Sequence, residues 1–140
     1  AWFLIILGAA GQLGEVAFTL ATAEASDNAS VAAVAAAGGD AVAAATAVAN
    51  SAIAASMFAS GQAIGAVTTA FSMLGIALLG IGILQQKNFS PLIAGLMIVA
   101  GIFTLVMCLV DYESQIIAIG YIGVVVSFVC LGASLLTQKE

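Results

Sequence analysis

The stretch "IGAVTTAFSMLGIALLGIGIL", residues 64–84, decides the fold of this chain. It contains no charged side chain, and it is as long as the run of about 20 apolar residues that a helix needs to cross a bilayer. Three further long apolar runs occur, one of which contains Glu15, and the predicted spans are about 1–23, 62–85, 91–110 and 115–137. Strands of a membrane barrel would alternate and last only about ten residues. The sequence therefore predicts an all-α integral membrane helical bundle of about four transmembrane helices, in a single transmembrane domain over 1–140.

The composition restricts both the surroundings and the chemistry of the protein. Hydrophobic residues make up 64% of the 140 residues and charged residues only 6%, with a net charge of −5. A soluble domain carries about a quarter charged residues, so lipid or other apolar protein is expected to surround most of this chain. The charge is thin and scattered, which argues against a nucleic-acid partner. Histidine is absent, and the sequence has no recognisable nucleophile–base pair, metal cluster or phosphate loop. We therefore expect no enzymatic activity and no cofactor.

Residues 27–60 differ from the spans because they are rich in alanine and nearly free of large side chains. Alanine is the best helix former but buries little area, so this segment is predicted to be helical without being strongly lipophilic. Two interpretations stay open: residues 41–60 form a marginal fifth span, or they form the first half of one long helix that continues into 62–85. We prefer the long helix, with its first half outside the bilayer and against other protein.

Capping signals divide the same segment. Asp27 or Asn28 is a candidate N-cap for a helix that stops at Gly38 and Gly39, and Asp40 is a candidate N-cap for the helix that follows. The triplet "NAS" at Asn28 is also a candidate N-glycosylation site, provided that this part of the chain lies outside the membrane.

The orientation rests on the two basic residues of the chain. Lys87 follows the second predicted span and Lys139 follows the fourth, so both lie on one side if the spans alternate. The positive-inside rule places that side in the cytoplasm. Residues 24–60, Asp111 and Glu113 then lie on the outer face of the cell membrane. A fifth span would instead move residues 24–40 to the side of the lysines.

Small residues recur inside the spans at helical spacing, including the GxxxG pattern "GQAIG". Lipid gives helices little hydrophobic drive to associate, so close backbone approach and van der Waals contact hold them together. We therefore predict that the glycines serve helix packing; the alternative is that they line a pore or a substrate path. The predicted packing positions are Gly8, Gly11, Gly14, Gly61, Gly65, Gly95, Gly101, Gly120 and Gly123.

Glu15 is the anomaly of the first span, because a charged carboxylate at membrane depth costs about 2.5–3.5 kcal/mol on insertion scales. Three roles are open: a hydrogen-bonded structural group inside the bundle, a carrier of protons or cations, or a residue at the membrane interface. Gln12 and Thr19 lie one turn before and after it on the same helix face. An ion pathway needs several polar groups at depth, and beyond Gln12 the spans offer few. The structural role is therefore preferred, and Glu15 with Gln12 is the candidate intramembrane polar site.

Two stretches carry a resemblance to a known group of proteins. "GQLGEVAFTL" (11–20) is a small-residue span with an acidic residue and an aromatic residue near its end. "AFSMLGIALLGIGILQQKNFSPLIAGLMIVAGIFTLV" (70–106) joins two glycine-rich spans through a short loop with an F-x-P turn. Together they resemble an uncharacterised family of small-residue-rich, multi-span membrane proteins of bacteria and archaea, over about half of the chain. The resemblance implies the helical membrane fold and no activity.

Two functions are compatible with these features. The first is a non-catalytic structural or accessory subunit of a larger membrane complex, with the lipid bilayer and other membrane subunits as partners. It is favoured because the chain is short of charge even outside the spans. The alternative is an ion- or solute-conducting homo-oligomer that uses the carboxylate of Glu15.

Overall fold

A computed structural model describes residues 1–86 and 89–137, and this part of the chain consists of four α-helices and no strands. The helices are α1 (Trp2–Ala36), α2 (Ala41–Gln86), α3 (Pro91–Val110) and α4 (Ile117–Thr137). All four are long and apolar enough to cross a membrane. The predicted all-α fold is confirmed. Lys87 and Lys139, on which the predicted orientation rests, lie outside the described residues.

The chain divides into two compact units. Unit 1 comprises residues 1–10 and 66–140, and unit 2 comprises residues 11–65. Both α1 and α2 contribute residues to each unit. Because α1 ends at Ala36 and α2 begins at Ala41, the alanine-rich segment has no helix of its own. Its first part is the end of α1 and its second part is the beginning of α2.

Of the two N-caps predicted in the alanine-rich segment, the one at Asp40 is present, in the turn between α1 and α2. The Asp40 carboxylate accepts hydrogen bonds from the backbone N–H groups of Val42 (2.8 Å) and Ala43 (3.1 Å), so the predicted N-cap is confirmed. Gly39 has a φ of +92°, a conformation that glycine adopts without a steric penalty. The chain can therefore reverse within the few residues between Ala36 and Ala41.

The predicted N-cap at Asp27 or Asn28 is wrong. Both residues lie inside α1, which runs without a break from Trp2 to Ala36. Several of the surrounding residues are alanine, and the hydroxyl of Ser30 donates to the carbonyl of Ser26 one turn earlier, within the helix. The helix thus has no reason to stop at this point.

α2 is one continuous helix of 46 residues, as the sequence predicted. It passes through Gly61 and Gln62 without interruption, because two residues with no stop signal cannot end a helix that is favoured on both sides. A single crossing uses only about 20 residues. Which half of α2 lies in the bilayer stays a prediction.

Unit 2 is an antiparallel helical hairpin with a seam of small residues. Gly14 contacts Ile64, and Gly61 contacts Phe18, so rising numbers on α1 match falling numbers on α2. Positions with reduced exposure recur every three or four residues, which is the heptad spacing of helices that pack along their length. Because most are alanine or glycine, the two backbones can approach closely. These positions include Gly11, Glu15, Phe18, Thr22, Ala25, Ala29, Ala32 and Ala36 on α1, and Ala43, Ala47, Asn50, Ala54, Met57 and Gly61 on α2.

Unit 1 contains the larger apolar core. Helix α3 begins at Pro91, where Ser90 caps the first turn by accepting from the N–H of Leu92 at 3.3 Å. Gly80 of α2 lies against α3, since a Cβ built on it would be 3.0 Å from the Cβ of Met97. The core consists of buried residues from α2, α3 and α4: Met73, Ile76, Ile83, Ile93, Ala94, Met97, Ala100 and Val124.

Candidate functional site

The Glu15 carboxyl group is seated on a glycine of the opposite helix. Within unit 2, a Cβ added to Gly65 would overlap the carboxyl group, and its distance to Oε1 would be 2.7 Å. A Cβ added to Gly61, one turn earlier on α2, would lie 3.0 Å from the Cβ of Phe18 and 3.9 Å from the main-chain carbonyl oxygen of Glu15. The two glycines of the GxxxG pattern therefore form a shallow groove for the Glu15–Phe18 turn of α1.

This placement differs from that of a residue on the outer surface of a helix. Glu15 is half-buried, while Leu13 and Val16 beside it are 73% and 56% exposed. The polar end of Glu15 thus points into the seam of the hairpin, and large apolar side chains cover the outside of α1. An arrangement of this kind keeps a carboxyl group away from lipid.

The other polar side chains near Glu15 in unit 2 are Gln12, Thr19 and Gln62. Gln12 lies on the exposed side of α1. Thr19 donates its hydroxyl to the main-chain carbonyl of Glu15 at 2.9 Å, so that hydrogen bond goes to the backbone of Glu15. On α2, the Oε1 atom of Gln62 is buried, and no donor among the described residues reaches it. The sequence did not single out Gln62, although its position inside "GQAIG" places it on the same turn as the two glycines.

Glu15 and Gln62 supply few possible metal ligands. The described residues contain no cluster of three or more His, Cys, Asp and Glu side chains. One carboxyl group and one amide oxygen are too few ligands for a divalent cation, which takes six or more oxygens when it is calcium. The arrangement suits hydrogen bonding between helices.

The packing glycines of unit 1 also receive polar side chains. A Cβ on Gly8 would overlap the Ser72 hydroxyl and the Thr68 carbonyl, and a Cβ on Gly120 would overlap the Thr104 hydroxyl. The fully buried Thr104 satisfies its hydroxyl by donating to the Ala100 carbonyl at 2.8 Å. A hydroxyl group that bonds to its own helix can be buried against a glycine without an unpaired donor.

The remaining predicted positions range from close contact to none. A Cβ on Gly101 would lie 2.8 Å from the Met73 carbonyl, and one on Gly123 would lie 3.0 Å from Ala100 Cβ. A Cβ on Gly14 would make an ordinary van der Waals contact with Ile64 Cγ2 at 3.6 Å. Gly11 is half-buried on the seam side of α1.

Gly95 departs from the prediction that it packs against another helix. A Cβ built on Gly95 has nothing within 4 Å. Its neighbour Ala94 is the residue that points to α2, and Gly95 lies one position further around α3, beside Leu92 and Val99, which are 79% and 66% exposed. Periodicity alone could not distinguish the two adjacent small residues.

Buried hydroxyl groups in unit 1 were not predicted. Thr69, Thr104 and Ser127 are fully buried, and the Tyr121 hydroxyl donates to Thr69 Oγ1 at 3.5 Å, which links α4 to α2. Ser127 donates to the carbonyl of Gly123 at 2.7 Å. Single hydroxyl residues inside an apolar run carry no periodic signal, so only the packing of the helices identifies them.

The wide grooves of unit 1 have no polar lining. The groove between α3 and α4 has a volume of about 320 Å³ and is bounded only by apolar side chains and glycines. Gly120 and Gly123 are among the lining residues, but nothing there would stabilise an ion or a polar solute. The lining residues are Leu96, Val99, Ala100, Phe103, Ile119, Gly120 and Gly123.

The triplet at Asn28 has the wrong local structure for the predicted modification. N-glycosylation acceptors lie in surface loops. Asn28 is exposed, but it is in the interior of α1, and the hydroxyl of Ser30 is engaged with the Ser26 carbonyl. Asn28 thus lies in a helix and not in a loop, and its glycosylation stays a prediction.

Substitution of Gly65 tests directly whether the Glu15 carboxyl group packs against this glycine. Gly65→Ala would force the Glu15 carboxyl group out of the seam, with an overpacking cost of about 1–3 kcal/mol. Gly95→Ala is the matched control, because alanine there meets open space and gains up to about 1 kcal/mol of helix propensity. We expect Gly65→Ala to unfold at lower denaturant concentration than Gly95→Ala when helix content is followed by circular dichroism in mixed micelles. Equal midpoints would mean that Glu15 does not occupy the seat.

Comparisons with known proteins do not place the chain in a group. No protein-family model matches it, and neither a curated protein nor a solved structure does.

Proposed function

We propose that this chain is a non-catalytic integral membrane protein that acts as a structural or accessory subunit of a larger membrane complex. In this proposal the protein crosses the cell membrane several times, with Lys87 and Lys139 in the cytoplasm. Residues 24–60, together with Asp111 and Glu113, are on the outer face. The four helices that are long and apolar enough to span a bilayer support the membrane location.

The surface of the hairpin is the observation that carries the proposed role. α2 has 46 residues, more than twice the number that one crossing uses. Over residues 24–60 the only charged side chains are Glu24, Asp27 and Asp40. The exposed side chains include valines that are 72–77% exposed, and a helix pair surrounded by water would carry many more charges. A second protein surface would cover these side chains, which are Val31, Val34, Val42 and Val48.

The position of Glu15 supports a structural role over ion conduction. Its carboxyl group is seated on Gly65 within the hairpin, and the outward positions of the same helix segment are apolar. A ring-shaped conductor built around this residue would need the carboxyl group on a surface that faces other copies or a pore. The conducting homo-oligomer is therefore the rival that an experiment has to exclude.

Purification in a mild detergent tests the proposed function. We expect the full-length protein, tagged and expressed at native level in its own membrane, to elute with other membrane proteins at fixed stoichiometry. Native mass spectrometry would measure the composition. A control preparation in a harsh detergent should release the chain from its partners. A ring of identical copies, or the chain by itself in the mild detergent, would contradict the proposal.

Variants of Glu15 separate the structural role from the rival. Glutamine keeps the shape and most of the hydrogen-bonding capacity, so Glu15→Gln should assemble normally and retain the activity of the complex. Glu15→Leu should assemble less well, although a hydrogen bond between membrane helices contributes only about 0.6 kcal/mol on average. Both the yield of complex and its activity are measured for each variant. Normal assembly with lost activity in Glu15→Gln would favour the conducting role, because glutamine cannot exchange a proton.

Cysteine labelling tests the orientation. In a background with Cys108→Ala and Cys130→Ala, an impermeant thiol reagent added outside should label cysteines placed at Asp27 and Glu113. Cysteines at Lys87 and Lys139 should react only after the membrane is permeabilised. Labelling of Lys87→Cys and Glu113→Cys from the same side would rule out four alternating spans.

A further inference from the structure

One side of α1 in the hairpin carries two acidic residues followed by two valines. Glu24, Asp27, Val31 and Val34 are spaced by three, four and three residues, so they lie along one side of the helix. We refer to these four residues as the acid–valine stripe. All four are exposed, and the two valines are 72% and 77% exposed.

The stripe lies opposite the side of α1 that is packed within the hairpin. Ala25 and Ala29 are 7% and 9% exposed, and Ala32 and Ala36 are half-buried. These alanines recur at the same heptad spacing as the stripe, on the other side of the helix. α1 therefore has a second face with helical periodicity that nothing within unit 2 covers.

Charge decides what kind of surface fits the stripe. Residues 1–86 contain no lysine, arginine or histidine, so no basic side chain of the hairpin can pair with Glu24 or Asp27. Two copies of the stripe packed side by side in the same membrane orientation would bring like charges together, which is destabilising. Anionic lipid headgroups would be repelled for the same reason. The complementary surface is one that carries positive charge beside apolar side chains.

We propose that the acid–valine stripe is the docking face for a helix of another protein that has lysine or arginine next to small apolar residues. The proposal rests on the proposed function and specifies its partner. The basic side chains of the partner pair with Glu24 and Asp27, and its apolar residues cover Val31 and Val34. Because the charged part of this contact is near the surface, added salt weakens the interaction.

Charge variants of the full chain in the mild-detergent preparation test the docking face. Each exposed ion pair contributes about 0.2–1 kcal/mol, so the double variant Glu24→Gln/Asp27→Asn should weaken partner retention by about two- to thirtyfold. The charge-reversed variant Glu24→Lys/Asp27→Lys should lose the partner at all salt concentrations. Asp111→Asn/Glu113→Gln is the matched control, since it removes the same charge from exposed positions elsewhere and should retain the partner. Helix content by circular dichroism verifies that each variant is folded.

A photo-crosslinking residue at Val34 identifies what lies on the stripe. The expected product is a covalent adduct with a different protein, and its yield should fall in the charge-reversed background. A product of twice the mass of this chain would overturn the proposal, as would adducts with lipid alone. If the wild-type protein keeps a partner but the Glu24/Asp27 variants and the Asp111/Glu113 control behave alike, the docking face is wrong and the proposed function stands. If the wild-type protein keeps no partner, both are wrong.

Discussion

Close approach of helix backbones at glycine and alanine is the constraint on which the rest of this structure depends. The chain has few charges and few large side chains outside its spans, so neither ion pairs nor a large apolar core can hold α1 against α2. Instead the hairpin has small residues at heptad spacing, and glycine occupies positions where a larger side chain of the opposite helix needs space. Glu15 on Gly65 and Ser72 on Gly8 follow one rule: the space left by a missing Cβ admits a polar side chain from the next helix. Dispersion contacts over many such positions replace the hydrophobic drive that lipid does not provide.

The small number of charged and large side chains outside the predicted spans also bears on the function of the protein. Packed alanines hold the two long helices together, but the outer faces of these helices carry few charged side chains that could interact with water. In the first part of α1 the outer face carries leucine and valine, which suit lipid. Further along α1 it carries Glu24 and Asp27, and then valines again. The outer surface of the hairpin is therefore apolar with few charges, which is why we propose that a partner protein covers it. The Glu15 carboxyl group lies in the seam of the hairpin against Gly65, as the preferred structural role requires.

Much of the fold followed from the sequence because it depends on composition and on local signals. The four long apolar helices, the Asp40 cap and the continuity of α2 through Gly61 follow from apolar length, capping and helix propensity. The end of α1 was misjudged because Asp27 and Asn28 are good capping residues, yet a cap is used only where the helix stops, and alanine on both sides gives it no reason to stop. The site was less predictable. Periodicity identified Gly61, Gly65 and Gly8, but could not tell that Gly95 points away from its neighbours or that Gln62 and Thr69 are buried, because these depend on how each helix is rotated about its axis.

Disulfide crosslinking across the hairpin tests the alanine–glycine seam most directly. Ala21 and Met57 line the same small cavity within unit 2, whereas Leu20, the residue before Ala21, is 67% exposed on the outside of α1. In full-length protein with Cys108→Ala and Cys130→Ala, the pair Ala21→Cys/Met57→Cys should crosslink rapidly under mild oxidation. The pair Leu20→Cys/Met57→Cys should crosslink slowly, since the two side chains are on different sides of the helix. Equal rates for the two pairs, or no crosslink in either, would contradict the packing of α1 against α2 on which the account rests.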